Sequence, residues 1–268
     1  MDIWKVFPRK IRKRVAAFYL KAADCARSIR MYLKYLGWYS IHKKDPEYHS
    51  IPIVINNFNR VSSLKKLIDT LENRGYRNIY IIDNNSTFPA LLDYYSTCSY
   101  PIFYLRKNLG FTAIWDSGLY NRFKRSFYVY TDSDIILDKD CPEDFMKVFL
   151  DALRKYPKCK KVGFGLRIDD LPDAFSNKQK VIEHESQFWR RPVDDLFYDA
   201  PIDTTFALYR PFCYGPADSN YLMLRSNTPY LAQHTPWYVD SANLSEEELY
   251  YLKSCSKSTH WSQLMKNN

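Results

Sequence analysis

Four short apolar runs, each followed by a stretch of helical spacing, constrain this chain more than any other feature. They are "IPIVINNF" from Ile51, "NIYIID" ending at Asp83, "PIFYL" ending at Leu105 and "SFYVYTD" ending at Asp132. Each is β-branched or aromatic and bounded by turn residues, the mark of a buried strand. Between the first two, Leu64, Leu67, Ile68 and Leu71 recur at helical spacing within 62–73, and Gly75 stops the helix. Residues 87–97 and 111–123 read the same way, and a further helix over 142–155, with Pro142 in its first turn, precedes a fifth run, "KVGFGL". Parallel neighbours need crossover connections, so this alternation predicts an α/β fold: a mainly parallel sheet sandwiched by helices. After Leu166 the pattern weakens. Residues 167–200 are charged and loop-rich, "TTFALYR" from Thr204 reads as a strand, and "SEEELYYLKS" from Ser245 as a helix with Ser245 and Glu248 as a capping box.

A chain of 268 residues has room for one such domain, over 46–268, and an appendage. The appendage is residues 1–45, where Val15, Phe18, Tyr19, Ala22, Ala26, Ile29, Leu33 and Leu36 form a helical stripe. From Val15 to Leu36 such a helix runs about 33 Å. Twelve of the 39 Lys and Arg fall within 1–44 against Asp2 and Asp24, a net of +10, whereas 45–268 carries −1. The basicity thus belongs to the arm, and the neutral body offers no nucleic-acid surface. The arm has no apolar run of spanning length, and "VAAFYL" is too short for a signal-peptide core. Its stripe suits a contact with the body or with a second copy of the chain. It suits equally the surface of an anionic membrane, with Trp4, Trp38 and Tyr39 as anchors. The six cysteines form no CxxC pair, which fits reduced thiols in a cytoplasmic protein, held peripherally on the inner face of the plasma membrane if the arm binds lipid.

Open sheets of this kind bind ligands beyond the carboxyl ends of their strands. Those ends read Asn56-Asn57-Phe58-Asn59-Arg60, Asp83-Asn84-Asn85-Ser86, Arg106-Lys107-Asn108 and Asp132-Ser133-Asp134. Singly, each could be turn and cap chemistry, with Ser86 or Thr87 capping the following helix. Four polar ends on one edge point to a shared site. The sharpest is the D-x-D in "YVYTDSDIIL", since carboxylates set into an apolar run cost several kcal/mol without a cation. Oxygen donors suit Mg²⁺ or Mn²⁺. An EF-hand beginning at Asp132 fails, because Ile136 and Leu137 stand where a ligand and a glycine are required. With seven glycines the chain has no GxxxxGK[ST] and no GxGxxG, which excludes P-loop and dinucleotide sites. A dehalogenase-type phosphatase requires D-x-D-x-T/V after its first strand, and here Ile136 follows the fourth.

In order and separation, "IPIVINNFNR", "IYIIDNNS", "YLRKNLGFTAIWDSGL" and "YVYTDSDIIL" make Ile51 to about Leu153 resemble the nucleotide-sugar half of a family 2 glycosyltransferase of the GT-A fold. The tail "HTPWYVDSANLSEEELYY" is similar to that of bacterial members that build surface polysaccharides. The resemblance implies a nucleotide-sugar half over 46–166 and an acceptor half with tail over 167–268. It implies metal-dependent, inverting transfer from a nucleoside-diphosphate sugar, a UDP-sugar first, to a saccharide or lipid-linked hydroxyl in polysaccharide or glycolipid assembly. Asp83 would then contact base or ribose, with Asn56, Asn57 and Arg60 in the same pocket, Asn108 and Gly110 against the nucleoside, and Arg106 nearby. Asp134 would hold Mn²⁺ or Mg²⁺, Asp132 would bind ribose, the metal or its water, and His234 would be a third ligand. The base would be Asp203, from a set that includes Asp194, Asp195, Asp218 and Asp240. The family's usual "E-D" pair before the acceptor helix is absent. Trp237 and Tyr238 would stack on a sugar or pack the tail. Two other readings stand beside this one. A sugar nucleotidyltransferase shares the sheet but uses a GxGxRxxP-type loop, which "NNFNR" is not. The other is a non-catalytic nucleotide-sugar-binding or scaffold protein.

Overall fold

The computed structural model describes residues 8–41, 46–215 and 222–255, so Trp4 and Asp218 lie outside the described residues. The chain divides into two compact units, Met1–Asp45 and Pro46–Asn268. The first is a helix, α1 (Arg9–Ile41), whose 33 residues span about 50 Å. It outruns the apolar stripe at both ends because no proline interrupts 9–41 and Gly37 alone is tolerated. Among the described residues, no helix is long and apolar enough to cross a membrane.

The second unit contains, in chain order, β1 (Ile53–Asn57), α2 (Ser62–Glu72), β2 (Ile79–Asp83), α3 (Pro89–Thr97), β3 (Ile102–Tyr104), α4 (Ala113–Asp116), α5 (Tyr120–Phe123), β4 (Tyr128–Asp132) and β5 (Ile135–Leu137). There follow α6 (Phe145–Lys155), β6 (Cys159–Gly163), β7 (Gly165–Leu166), α7 (Lys178–Glu185), β8 (Phe197–Asp199), β9 (Ala207–Tyr209), β10 (Leu222–Ser226), β11 (Leu231–His234) and α8 (Glu246–Ser254). The main sheet has eight strands in the order β3-β2-β1-β4-β9-β6-β10-β8. β3, β2, β1 and β4 are parallel, β9 runs antiparallel between β4 and β6, β10 is parallel to β6, and β8 closes the edge antiparallel. The protein is thus a mixed α/β fold with a mostly parallel central sheet flanked by helices.

Where the sequence predicts a single helix over 111–123, Gly118 (φ 81°) breaks it into α4 and α5 after a 3₁₀ turn at Gly110–Thr112. The run "KVGFGL" is two strands, since β7 leaves the main sheet to join β5 and β11 in a three-stranded one. The glycines permit the crossing. A Cβ on Gly163 would stand 2.6 Å from the Phe206 carbonyl, and one on Gly165 2.3 Å from that of Ser226. Residues 167–200, expected to be loop-rich, also contain α7 and β8. Packing is aromatic. Tyr128 and Tyr209 stack at 4.9 Å across the β4–β9 pair, and Phe164 lies 5.0 Å from Phe149 and 5.3 Å from Phe206. Register then sets the functional edge: Asn57 lies opposite Asp83, Asn56 opposite Asp132, and Asp83 opposite Tyr104.

Candidate active site

The carboxyl edge of the sheet opens into a cleft of about 820 Å³. One wall is made of amides. Asn84 donates from Nδ2 to the Gly110 carbonyl (2.9 Å) and accepts at Oδ1 from the Leu109 N–H (2.7 Å). Asn108 accepts the Gly110 N–H (2.8 Å), and Gly110 takes φ 71°, a conformation that favours glycine. The 108–110 turn is thereby folded onto the ends of β1 and β2. Asn56 faces the cleft and donates to Asp132 Oδ1 (3.1 Å). Asn57, one residue on, points into the protein, where it donates to the Tyr95 hydroxyl (2.9 Å) and accepts from Ser133 (2.6 Å). Asp83 is likewise buried, accepting the Ser86 N–H (3.1 Å), and Asn84 forms the cleft wall at that strand end. Arg106 is exposed and does not line the cleft. Neither Ser86 nor Thr87 caps α3, whose N-cap is Phe88 with no side-chain bond to the first turn; Asn59 Oδ1 accepts from the N–H groups of Thr87 (2.7 Å) and Phe88 (2.9 Å) just before it.

The D-x-D sits where β4 ends and β5 begins, so both aspartates lie on the cleft edge. Asp132 accepts from Asn56 and, by a short hydrogen bond, from the Thr204 hydroxyl. Burial, then the charge of Asp134, outweigh those donors and raise its pKa to about 8. Asp134 faces a guanidinium and an imidazole. Arg60 Nε stands 3.6 Å from Oδ2, and His234 Nε2 3.7 Å from Oδ1. His234 reaches this place because β11 pairs antiparallel with β5, which sets it opposite Ile135. Burial lowers the pKa of His234 and favours the neutral imidazole, and Trp237 packs edge-on at 4.7 Å. Arg60 is buried, clamped at both Nη atoms by Glu248, with the Tyr251 ring 4.0 Å from its Cζ. Burial would depress its pKa, but Glu248 and then Asp134 hold it raised.

Among the described residues no group of three His, Cys, Asp or Glu is gathered to hold a metal alone. The three-ligand set of Asp132, Asp134 and His234 is therefore not assembled, because Asp132 turns to Asn56 and Thr204. Asp134 and His234 do fit a divalent cation as a pair. Neighbouring ligands in an octahedron about Mg²⁺ or Mn²⁺ stand about 3 Å apart, and such ions commonly draw their other ligands from water and phosphate. Charge favours a cation too: besides Asp132, four carboxylates (Asp134, Glu185, Asp203, Glu248) line the cleft against two guanidinium groups (Arg60, Arg225).

The opposite wall comes from residues after 166. Asp203 opens onto the cleft next to Thr204, and burial raises its pKa against the opposing pull of Lys161 and Arg225. Its carbonyl accepts from buried Lys161 Nζ (2.9 Å). Arg225 donates to the Pro201 carbonyl (2.8 Å) and to Glu185 (2.7 Å), both side chains being buried. The other candidate bases lie elsewhere: Asp194 binds Lys155 (2.8 Å) and the Tyr156 hydroxyl (2.6 Å), and Asp240 accepts the Ala242 N–H (2.9 Å). Asp195 does not line the cleft. Trp237 lines it and is buried, whereas Tyr238 donates to Asp170 (2.5 Å). Glu185, Arg225, Glu248 and Tyr251 are site residues that sequence reasoning missed. Glu248 carried a signal of another kind. Ser245 does accept the Glu248 N–H (3.2 Å), but the carboxylate of the expected capping box goes to Arg60.

No protein-family model matches the chain, and no curated protein does. Among solved structures it is similar to S. aureus TarS, 13% identical, over 60% of this chain and 28% of that one, TM-score 0.38. It is similar to GalNAc-T7 with UDP, GalNAc and Mn²⁺, 14% identical, over 80% and 53%, TM-score 0.44. A third is 4-diphosphocytidyl-2C-methyl-D-erythritol synthase from Anaerococcus prevotii, 16% identical, over 81% and 84%, TM-score 0.31. The chain spans about a quarter and about half of the first two chains' lengths. No chemistry passes to this chain at those values.

Proposed function

We propose that this protein is a glycosyltransferase that takes a sugar from a nucleoside diphosphate, a UDP-sugar first, to an acceptor hydroxyl. The observation that carries the reading is the D-x-D edge itself: Asp134 beside a neutral His234, and Asp132 tied to both Asn56 and Thr204. An anionic diphosphate entering a cleft with that carboxylate excess needs a divalent cation. Asp134 and His234 would hold it, and Asp132 would accept from ribose or metal-bound water. Such a cation stabilises the negative charge that builds on a departing diphosphate. The amides of Asn56, Asn84 and Asn108 offer uncharged donors and acceptors to base and ribose.

Asp203 serves as the base that takes the acceptor proton, which makes the transfer inverting. Its raised pKa brings it nearer the value a general base needs, and Thr204 fixes it beside Asp132. Lys161 and Arg225 hold its loop by the carbonyls of Asp203 and Pro201. The acceptor is a saccharide or a lipid-linked sugar. Residues 1–45 supply the second part of that choice, for Arg14, Arg30 and Lys34 accompany an apolar stripe and no acidic residue follows Asp24 within α1. Self-pairing would juxtapose like charges, so an anionic bilayer fits the arm better than a second copy.

A thermal-shift screen of nucleotide sugars with Mn²⁺ tests the central reading. The cognate donor should raise the Tm and be slowly hydrolysed, and the Asp134→Ala variant should lose both responses. If no nucleotide sugar moves the Tm with Mn²⁺ present, the reading fails. Flotation with anionic vesicles tests the arm: the full chain should float and residues 46–268 should not.

A further inference from the structure

We propose that Arg60 donates to the diphosphate of the bound nucleotide, and that Glu248 and Tyr251, on α8, are the residues that position it. The inference rests on the transferase reading above. A guanidinium has five N–H donors in a planar fork. Glu248 occupies both terminal nitrogens of Arg60, and the Tyr251 ring lies against the guanidinium face. Of the three N–H that remain, two are on nitrogens already engaged and the third is the Nε–H, whose nitrogen has no hydrogen-bond partner. It is buried and stands beside the D-x-D with Asp134 Oδ2 at 3.6 Å, beyond a good hydrogen bond. A donor held in this way lacks an acceptor that a phosphate oxygen beside Asp134 would supply.

The clamp belongs to a larger seat for α8. Glu247 accepts from the N–H groups of Val61 and Ser62 (3.2 and 3.0 Å) at the start of α2, Ser254 accepts from Asn59 (2.8 Å), and the Tyr250 hydroxyl donates to the Thr87 carbonyl (3.0 Å). Phe58 meets the Tyr251 ring edge-on at 6.1 Å. Residues 58–62 therefore take their conformation from a helix about 190 residues further along the chain. A purely structural pin would explain Glu247. It would not explain an unbonded Nε–H at the cleft.

Titration calorimetry of the full chain with Mn²⁺ tests this. UDP, GDP, CDP and ADP are compared, and the tightest is paired with its unphosphorylated nucleoside. Arg60→Lys and Glu248→Gln should each weaken the diphosphate about tenfold, or 1.4 kcal/mol, and leave the nucleoside within about twofold. Tyr250→Phe, on the same helix but bonded to Thr87 rather than to residues 58–62, should lower the Tm and leave the diphosphate-to-nucleoside ratio unchanged. Equal weakening of both ligands, or none, overturns the proposal. Should Arg60→Lys not fold, Glu248→Gln keeps the side-chain shape and reads the same difference. Wild-type protein that binds no diphosphate with Mn²⁺ sinks the transferase reading as well; wild-type binding that the variants match sinks this inference alone.

Discussion

The two walls of the cleft are built from different chemistry. On the β1–β2 side Asn84 donates to Asn56, and Asn56, Asn84 and Asn108 each bond the 108–110 backbone, with no ion pair among them. On the far side and at the D-x-D the groups are ionic: Arg225 pairs with Glu185, and Arg60 with Glu248 and Asp134, with the neutral His234 beside Asp134. Amides recognise hydroxyls and base edges at little desolvation cost, and their geometry is set before a ligand arrives. Buried ions are held in place only while each partner remains, so the charged wall is the one that a single change can collapse. Recognition and chemistry are thus divided between walls, and variants should separate them.

The largest effect is expected at the charged wall. Asp203→Asn should lower kcat about a thousandfold while donor binding stays within a few-fold, because a general base is worth about 10²–10⁴ and the amide keeps its shape. Single-turnover assays with saturating donor read the difference, and a loss confined to KM would remove Asp203 from the chemistry. Next comes Arg225→Ala. It leaves Glu185 buried without its cation and should cost about 3 kcal/mol in urea unfolding. A cost below about 1 kcal/mol would mean that the pair is solvated in solution. On the amide wall, Asn84→Ala removes the bonds to Leu109 and Gly110 and should cost about 1–2 kcal/mol, with donor affinity falling and kcat per bound donor unchanged. If Asn84→Ala lowers kcat instead, the division between walls is wrong.

The same division explains what the sequence discloses. The amide wall follows directly from strand ends: parallel register brings Asn56 level with Asp132 because β1 and β4 are adjacent, and both runs are legible as buried strands. The D-x-D is legible for the same reason. One-residue alternation then misleads, since Asn56 faces the cleft and Asn57 the core, and a run buried on both faces gives no signal of which is which. The charged wall depends on contacts at long separation. Arg60 meets Glu248 across 188 residues and Thr204 meets Asp132 across 72, and neither segment carries a pattern that names its partner. β10 and β11 escaped notice because five and four residues of mixed polarity, one beside the edge strand of the main sheet and one in a small sheet, show no periodicity.

The smallest expected effect lies beneath the charged wall, at Lys161, which is fully buried between Asp203 and Tyr209. Its amine donates to the Asp203 carbonyl and lies 2.8 Å from the Tyr209 hydroxyl. Burial, reinforced by Lys160 and Arg225 and opposed by Asp203, lowers its pKa well below the ordinary 10.5. The folded chain therefore releases this proton at a lower pH than the unfolded chain does. Between the depressed value and 10.5 the unfolded state holds the extra proton, so Lys161 makes stability rise with pH across that window. Buried Tyr128 and Tyr209 have raised pKa values and act in the opposite sense near and above pH 10, which sets the upper limit for the measurement. Urea unfolding of wild type and Lys161→Met from about pH 6 to pH 9.5 isolates the lysine, because the tyrosines are common to both. The difference should move steadily in favour of wild type as pH rises. A flat difference would mean that Lys161 stays charged under Asp203, and the base would then sit beside a fixed cation that lowers its pKa.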